Sequence, residues 1–307
     1  MNNLHSAIVI PTYNGGILWK QVADSIREFY HGRVVVVDSG STDQTVPYAQ
    51  ECGFEVYQIP NQEFNHGGTR NYGASLVADT SDIVIFMTQD AILQNDKSIK
   101  NFIKLFEEND TLAAVYGKQL PHDDANPVAT HARIFNYSDH PYIVNEASAK
   151  ISEIGIKAVF MSNSFSAYRL SLFNKIGGFA NNTILCEDML FAANALVAGM
   201  KVGYQPLSSV KHSHNYSPIE EFKRYFDIGV FHCQQAWIGK RFGGTKGEGA
   251  KFIKSELRYL LKNAPHYIPL AFMNDFCKIV GYKLGKQYLR LPLVSVKKLS
   301  MHKRFWK

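Results

Sequence analysis

Several short runs in this chain are apolar at every position, and this limits the fold more than any other feature. Ala7–Ile10, Val34–Val37 ("VVVV") and Ile83–Met87 ("IVIFM") show no polar–apolar alternation. A strand with one wet face alternates, so a strand without alternation is covered on both faces, as in a parallel sheet between helices. Phe54–Gln58 and Ala113–Tyr116 are further strand candidates. Amphipathic stretches at Leu18–Phe29, Thr42–Glu51, Thr69–Ala78 and Lys97–Glu107 separate the five runs. Repeated strand–helix units need right-handed crossovers and leave a ligand crevice at the carboxyl ends of the strands. The first 117 residues therefore predict an α/β fold: a mostly parallel, Rossmann-like sheet flanked by helices.

The unusual residues fall at those carboxyl ends. The first strand leads into Pro11, Thr12, Tyr13 and Asn14, the second into Asp38, Ser39, Gly40 and Ser41, and the fourth into Thr88, Gln89 and Asp90. Three polar tips on one sheet edge predict a site there. Capping of the next helix accounts for Ser41, Thr42 and Asp43 but not for Asp38. A carboxylate at a strand tip can accept a hydrogen bond from the base or ribose of a nucleotide. No GxGxxG follows the first strand, so the dinucleotide fingerprint is absent.

Three later motifs carry chemistry. In "NHGGTRNYGA" the glycines allow a tight turn before a helix, and Arg70 sits in the first turn, where the helix dipole disfavours a cation. That placement points Arg70 at a ligand such as a nucleotide, the alternative being an ordinary surface arginine. "LCEDMLFAANAL" opens a helix running from Glu187 to about Ala198 with two acids. The dipole alone would favour them, and general-base work would also suit them. "VKHSHNYS" places His212 and His214 on one side of an extended segment, from which they could hold a metal with an acid from elsewhere, although either alone is more often a structural or surface histidine. Residues 118–158 read as irregular, with "PHDDANP" and "NYSDHPY" as loops, followed by an apolar strand-like run near Val159–Ala167 and an extended Val202–Tyr204.

From Pro218 onward the pattern is helical and the charge changes sign. Residues 251–307 hold 13 Lys and Arg against Glu256 and Asp275, a net of +11, so the whole-chain +6 leaves −5 for residues 1–250. Within Ala250–Asn263, Lys251, Lys254, Arg258 and Lys262 line up beside an apolar stripe of Ile253, Leu257, Leu260, Leu261 and Ala264. Lys283, Lys286 and Arg290 repeat the spacing, and the chain ends "KKLSMHKRFWK". An ordinary solvated helix face would also look like this, but basic amphipathic helices with terminal aromatics suit an anionic membrane surface. Nucleic acid is a poor partner for an acidic body without a recognition motif. The four cysteines (52, 186, 233, 277) form no CxxC or zinc pattern, which favours a reducing compartment. The start lacks the pattern of a signal peptide, and no apolar run reaches the roughly 20 residues of a membrane span. The expectation from these residues is a cytosolic protein whose basic helices can meet an anionic membrane surface.

In order along the chain stand "IPTYNGG", "VVDSGSTDQTV", "FNHGGTRN", "FMTQDA", "GKQLPHDDANP", "MSNSFSAYR", "CEDMLFAA", "HSHNYSPIEEFKRYFDIGVFH" and "FGGTKGEG". This ordered set resembles inverting family 2 glycosyltransferases of the GT-A fold, closest to bacterial O-antigen rhamnosyltransferases that use dTDP-L-rhamnose. The resemblance implies a GT-A domain over residues 1–215 and a C-terminal basic helical appendage over 216–307 that associates with membrane, so that the cytoplasmic protein sits peripherally on the inner face of the bacterial cell membrane. It implies that Pro11, Thr12, Asn14 and Gln89 line the donor pocket, that Asp38 meets the pyrimidine and that Arg70 reaches the base or diphosphate. Asp90 corresponds to the last acid of the DxD motif, holding Mg2+ or Mn2+ on the donor diphosphate with His212. Asp188 corresponds to the general base. The implied acceptor is a polyprenyl-diphosphate-linked glycan in O-antigen or other surface polysaccharide synthesis. The alternatives are a UDP-hexose or UDP-GlcNAc donor, or an inactive sugar-nucleotide-binding protein. One departure stands out: Thr88 replaces the first DxD acid, leaving one carboxylate at this tip.

Overall fold

In the computed structural model, residues 4–244 and 247–306 are described. Thr245 and Lys246 of "FGGTKGEG" and Lys307 of the basic end lie outside the described residues. The strands are β1 (Ser6–Thr12), β2 (Arg33–Asp38), β3 (Glu55–Gln58), β4 (Ile83–Met87), β5 (Ile92–Leu93), β6 (Leu112–Leu120), β7 (Tyr142–Val144), β8 (Phe165–Arg169) and β9 (Lys201–Lys211). They form one sheet in the order β3-β2-β1-β4-β8-β6-β9-β5, with β7 added to β9. The β3-β2-β1-β4 half is parallel throughout. The other half is mixed: β8 runs antiparallel to β4 and β6, while β6 and β9 are parallel to each other.

The parallel half is where the all-apolar runs lie, and the packing explains them. Val9, Val35, Val37 and Phe86 face one buried cluster, and Ile8, Ile10, Val34, Val36 and Ile85 face another on the opposite side of the sheet. Fully burying one such side chain is worth about 1.5–3 kcal/mol, so polar alternation would be costly on either face. Helices α1 (Gly16–Phe29), α2 (Thr45–Glu51), α3 (His66–Val77) and α4 (Lys97–Glu108) connect the early strands. Next come α5 (Pro127–Asn136), α6 (Ala149–Ile154), α7 (Leu170–Lys175) and α8 (Glu187–Val197). The last group is α9 (Pro218–Gln234), α10 (Ala236–Phe242), α11 (Glu248–Asn263), α12 (Ile268–Gly285) and α13 (Leu293–Leu299).

Three local expectations shift. The α2 helix starts at Thr45 because Ser41 and Thr42 bond elsewhere, to Asp38 and Asn14, while Asp43 accepts from the Thr45 N–H. Residues 118–158 are more regular than their loop-like composition suggests: β6 runs on to Leu120, and Asn126 caps α5 by accepting from the Ala129 N–H. The strand expected near Val159–Ala167 begins only at Phe165, after a 3-10 turn over Gly155–Val159.

The C-terminal helices are anchored on the sheet domain. Ser217 and Glu220 form a reciprocal capping box at the start of α9, and Phe226, Val230 and Phe231 of α9 join the larger core cluster. At the far end of the chain, Phe305 and Trp306 pack against that same cluster.

Candidate active site

Parallel register places the strand tips side by side, with Thr12 opposite Asp38 and Asp38 opposite Gln58. Asp38 is fully buried there. Its carboxylate accepts from Thr12 Oγ1 at 2.8 Å, from Ser41 Oγ at 2.5 Å, and from the N–H groups of Gly40 and Ser41 at 3.0 and 2.8 Å. These four donors occupy both oxygens, so Asp38 shapes the loop after β2. Asn14, at φ 46°, accepts from the Thr42 N–H through its side chain and donates its own N–H to Ser41 Oγ. Gln89 binds both backbone groups of Tyr13, at 2.7 and 3.1 Å, tying the β4 tip to the β1 tip next to Pro11. The three tips thus form one hydrogen-bonded wall.

Asp90 follows on the same edge. Its carboxylate lies 3.4 Å from His212 Nε2 and 3.6 Å from His214 Nε2, and its backbone carbonyl accepts from His122 at 3.0 Å. Donor atoms of Asp90, His212 and His214 all fall within 4.8 Å of one another. Burial opposes ionisation of Asp90, but His212 and His214 beside it hold its carboxyl well below the usual carboxylate range. Burial pushes His214 down to about 4, with His212 adding to the effect, so its imidazole is neutral and able to ligate. His212 Nδ1 donates to Gln119 Oε1 at 2.9 Å, which turns Nε2 towards Asp90. The buried Thr88 hydroxyl has no hydrogen-bond partner among the described residues. An orphaned hydroxyl beside one carboxylate and two imidazoles fits a hydrated divalent cation.

The second half of the site opens α8. Cys186 precedes it at φ 59°, and Asn14 and Cys186 are the two non-glycine residues with positive φ among the described residues. Both lie at this site, where strained backbone tends to collect. Glu187 is 5% exposed and bonds Arg70 Nη1 at 3.0 Å and Asn163 Nδ2 at 2.9 Å. The resemblance puts Arg70 on the base or diphosphate side. In the structure its guanidinium is buried against Glu187, which accounts for a cation early in a helix. Asp188 is only half-buried and accepts from the Asn163 and Met189 N–H groups at 2.9 and 2.8 Å. Burial and then the neighbouring Glu187 charge push Asp188 up to about 7. Against the burial, the Arg70 charge, His66 and the Asn163 amide keep Glu187 low. One carboxylate stays ionised and the other is poised near neutrality, the division of labour that acid–base chemistry uses.

Two consecutive residues link the halves. Asn163 touches Glu187 and Asp188, while Ser164 accepts from the Thr88 N–H through its carbonyl and lies 3.5 Å from His212 through its hydroxyl. The sequence alone singles out neither Asn163 nor Gln119, because an uncharged amide between Ser162 and Ser164, or between Lys118 and Leu120, carries no charge or spacing pattern. His214 had a signal, its spacing from His212, and the structure brings both to Asp90.

Comparison with known proteins bears on the family and the fold. The model of "Glycosyl transferase family 2" matches residues 7–177. The chain is 50% identical over 302 residues to the O-antigen chain rhamnosyltransferase RfbN of Salmonella typhimurium, covering 97% of this chain and 95% of that protein. It is 47% identical, with the same coverage, to the O-antigen chain rhamnosyltransferase WbaN of Salmonella anatum. Among solved structures, the mannosyltransferase PcManGT from Pyrobaculum calidifontis, in complex with GDP-Man and Mn2+, superposes with a TM-score of 0.65 at 16% identity. That match covers 93% of this chain and 88% of that one, and it carries the fold.

Proposed function

The chain belongs to glycosyl transferase family 2 and has the GT-A fold, and from that premise we propose that it transfers L-rhamnose from dTDP-L-rhamnose to a lipid-linked glycan. The observation that supports this reading is the Asn163–Ser164 link, through which Asp188, accepting from the Asn163 N–H, is joined to His212, 3.5 Å from Ser164 Oγ. The 50% and 47% identity to two O-antigen chain rhamnosyltransferases supports rhamnose as the sugar and an O-antigen glycan as the acceptor; its polyprenyl-diphosphate carrier is what the family resemblance implies.

The chemistry is a single displacement. Asp188 takes the proton of an acceptor hydroxyl as that oxygen bonds the anomeric carbon, and the bond to the nucleoside diphosphate breaks. Configuration inverts, so a β-linked donor gives an α-rhamnoside. Glu187, ionised on Arg70, keeps Asp188 basic enough to accept the proton. Pro11, Thr12, Asn14 and Gln89 form the donor wall, and Asp38 holds its loop in shape. A divalent cation would sit on Asp90, His212 and His214 and, when bound, offsets charge building on the departing diphosphate. Two imidazoles and one carboxylate suit Mn2+ better than Mg2+, which prefers oxygen ligands. Residues 1–215 would hold the catalytic machinery, and residues 216–307 would place it on the inner face of the bacterial cell membrane through their basic charge.

The deciding experiment is a panel of dTDP-rhamnose, UDP-hexoses and UDP-GlcNAc tested with a lipid-linked acceptor, with and without Mg2+ or Mn2+. Transfer from dTDP-rhamnose is expected, strongest with Mn2+. Transfer from a UDP-sugar alone would move the assignment to that donor, and turnover by none of them would favour a binding protein.

A further inference from the structure

The α12 helix packs in the reverse of the usual sense. Its inward face is small or polar: Ala271, Asn274, Asp275, Lys278, Gly281 and Gly285 are buried. Lys278 lies 3.4 Å from Asp275 and 3.6 Å from Glu221 of α9. Its outward face carries Phe272 at 57% exposure, Met273 at 54%, Phe276 at 64% and Ile279 at 45%. Phe272, Phe276 and Ile279 are spaced i, i+4, i+7 along one face, and exposed Lys283 follows one turn on. The patch continues onto α11, where Leu257 lines a shallow cleft with Phe272 and Leu261 is exposed. Beside those leucines on the α11 surface lie exposed Lys254 and Arg258.

Single exposed apolar residues are ordinary, but a contiguous stripe over buried charge is an interaction surface. We propose that the outward face of α11 and α12 inserts into an anionic bilayer. Phe272, Met273, Phe276 and Ile279 enter the acyl boundary, and Lys254, Arg258, Lys283 and Lys286 meet the headgroups. The α12 helix lies in the membrane plane, since no described helix is long and apolar enough to cross a membrane. Charge favours lipid over a second copy of the chain, because two such faces would bring their basic residues together. This inference rests on the membrane reading above and goes beyond it: charge attraction alone would leave the protein on the headgroups, whereas insertion adds an apolar, salt-resistant contact.

Vesicle sedimentation of the full chain tests it, using neutral phosphatidylcholine and phosphatidylcholine with phosphatidylglycerol at low and high salt. Wild type should bind the anionic vesicles and keep a bound fraction at high salt. The double variant F272S/F276S should bind at least about tenfold more weakly, with the remainder removed by salt. K254S/R258S should lose affinity at low salt yet keep the salt-resistant fraction. Equal binding by F272S/F276S, with an unchanged circular dichroism melt, overturns the proposal. Complete release of wild type by salt overturns insertion and leaves the electrostatic membrane reading standing. No binding to any vesicle removes both. A lipid-free dimer that F272S/F276S dissolves, without vesicle binding, would make a second copy the occupant and overturn the proposal too.

Discussion

Glu187 and Asp188 are neighbours in sequence with opposite titration behaviour, and the cause is which partners each one meets. Arg70 and Asn163 neutralise Glu187, while Asp188 has only backbone donors and a like charge beside it. If Asp188 is the base, kcat/KM falls about tenfold per pH unit below about 7, since only the ionised form takes the proton. Asp188→Asn should abolish transfer while sparing donor binding. Glu187→Gln removes the like charge, so the acid limb should move to lower pH; a limb that stays in place would separate the two residues. Gln119 makes a second residue-scale case. It is buried and fixes His212 through Nδ1, so Gln119→Leu should weaken Mn2+ binding about 10–100-fold, measurable by Mn2+ paramagnetic resonance, and should also lower stability because Ser162 and Arg133 lose the same partner. Asp90, Asp188 and His212 stood out in the sequence because acids and histidines at strand or helix ends have a chemical reason to be there. Arg70 stood out for the same reason, but its partner lies 117 positions away and only folding reveals it.

At the scale of elements, legibility follows how strictly burial dictates pattern. Strands buried on both faces were readable to within two residues at β1, β2 and β4 because every position faces a core. The α5 helix was not, because its residues are flanked by turn-forming sequences and share a small interface with α11. The orientation of α12 could not be read at all. A periodic stripe of Phe272, Phe276 and Ile279 normally points inward, whereas here α9 takes the opposite face. The cause is steric: a Cβ on Gly285 would lie 2.0 Å from the Phe226 carbonyl oxygen, and one on Gly281 2.3 Å from that of Phe222. Only glycine lets the two backbones approach so closely. Gly285→Ala should therefore push α12 away from α9 and cost about 1–3 kcal/mol, read as a lowered midpoint in urea. An unchanged midpoint would mean that the helix pair is not packed at this distance.

Across the whole molecule, residues 301–304 close a circuit between the helical region and the wall of strand tips. The N–H groups of Met301 and His302 donate to Asp227 of α9 at 2.9 and 3.1 Å. The His302 ring meets His66 of α3 edge-on, and Arg304 bonds Asn61, whose amide donates to the Ser39 carbonyl after β2. The helices proposed to lie on the membrane are therefore tied through residues 301–304 to the loop that Asp38 organises. Asp227 is the buried joint of this circuit, and burial pushes its carboxyl up to about 6 while Oδ1 has no hydrogen-bond partner among the described residues. The sign of its contribution follows from that shift. The unfolded chain releases this proton near pH 3.9, and the folded chain holds it up to about 6. Below both values Asp227 adds no pH dependence. Between them, stability falls with rising pH by up to about 1.4 kcal/mol per unit, because the unfolded state binds fewer protons. Asp227→Asn cannot titrate, and its amide oxygen can still accept from Met301 and His302. Its stability should thus decline less than wild type between about pH 4 and 6 and run parallel to it above 6. Urea midpoints across that range would show the two curves converging or not. Parallel curves throughout would mean that Asp227 is ionised in the fold and that the tail docks on a charge.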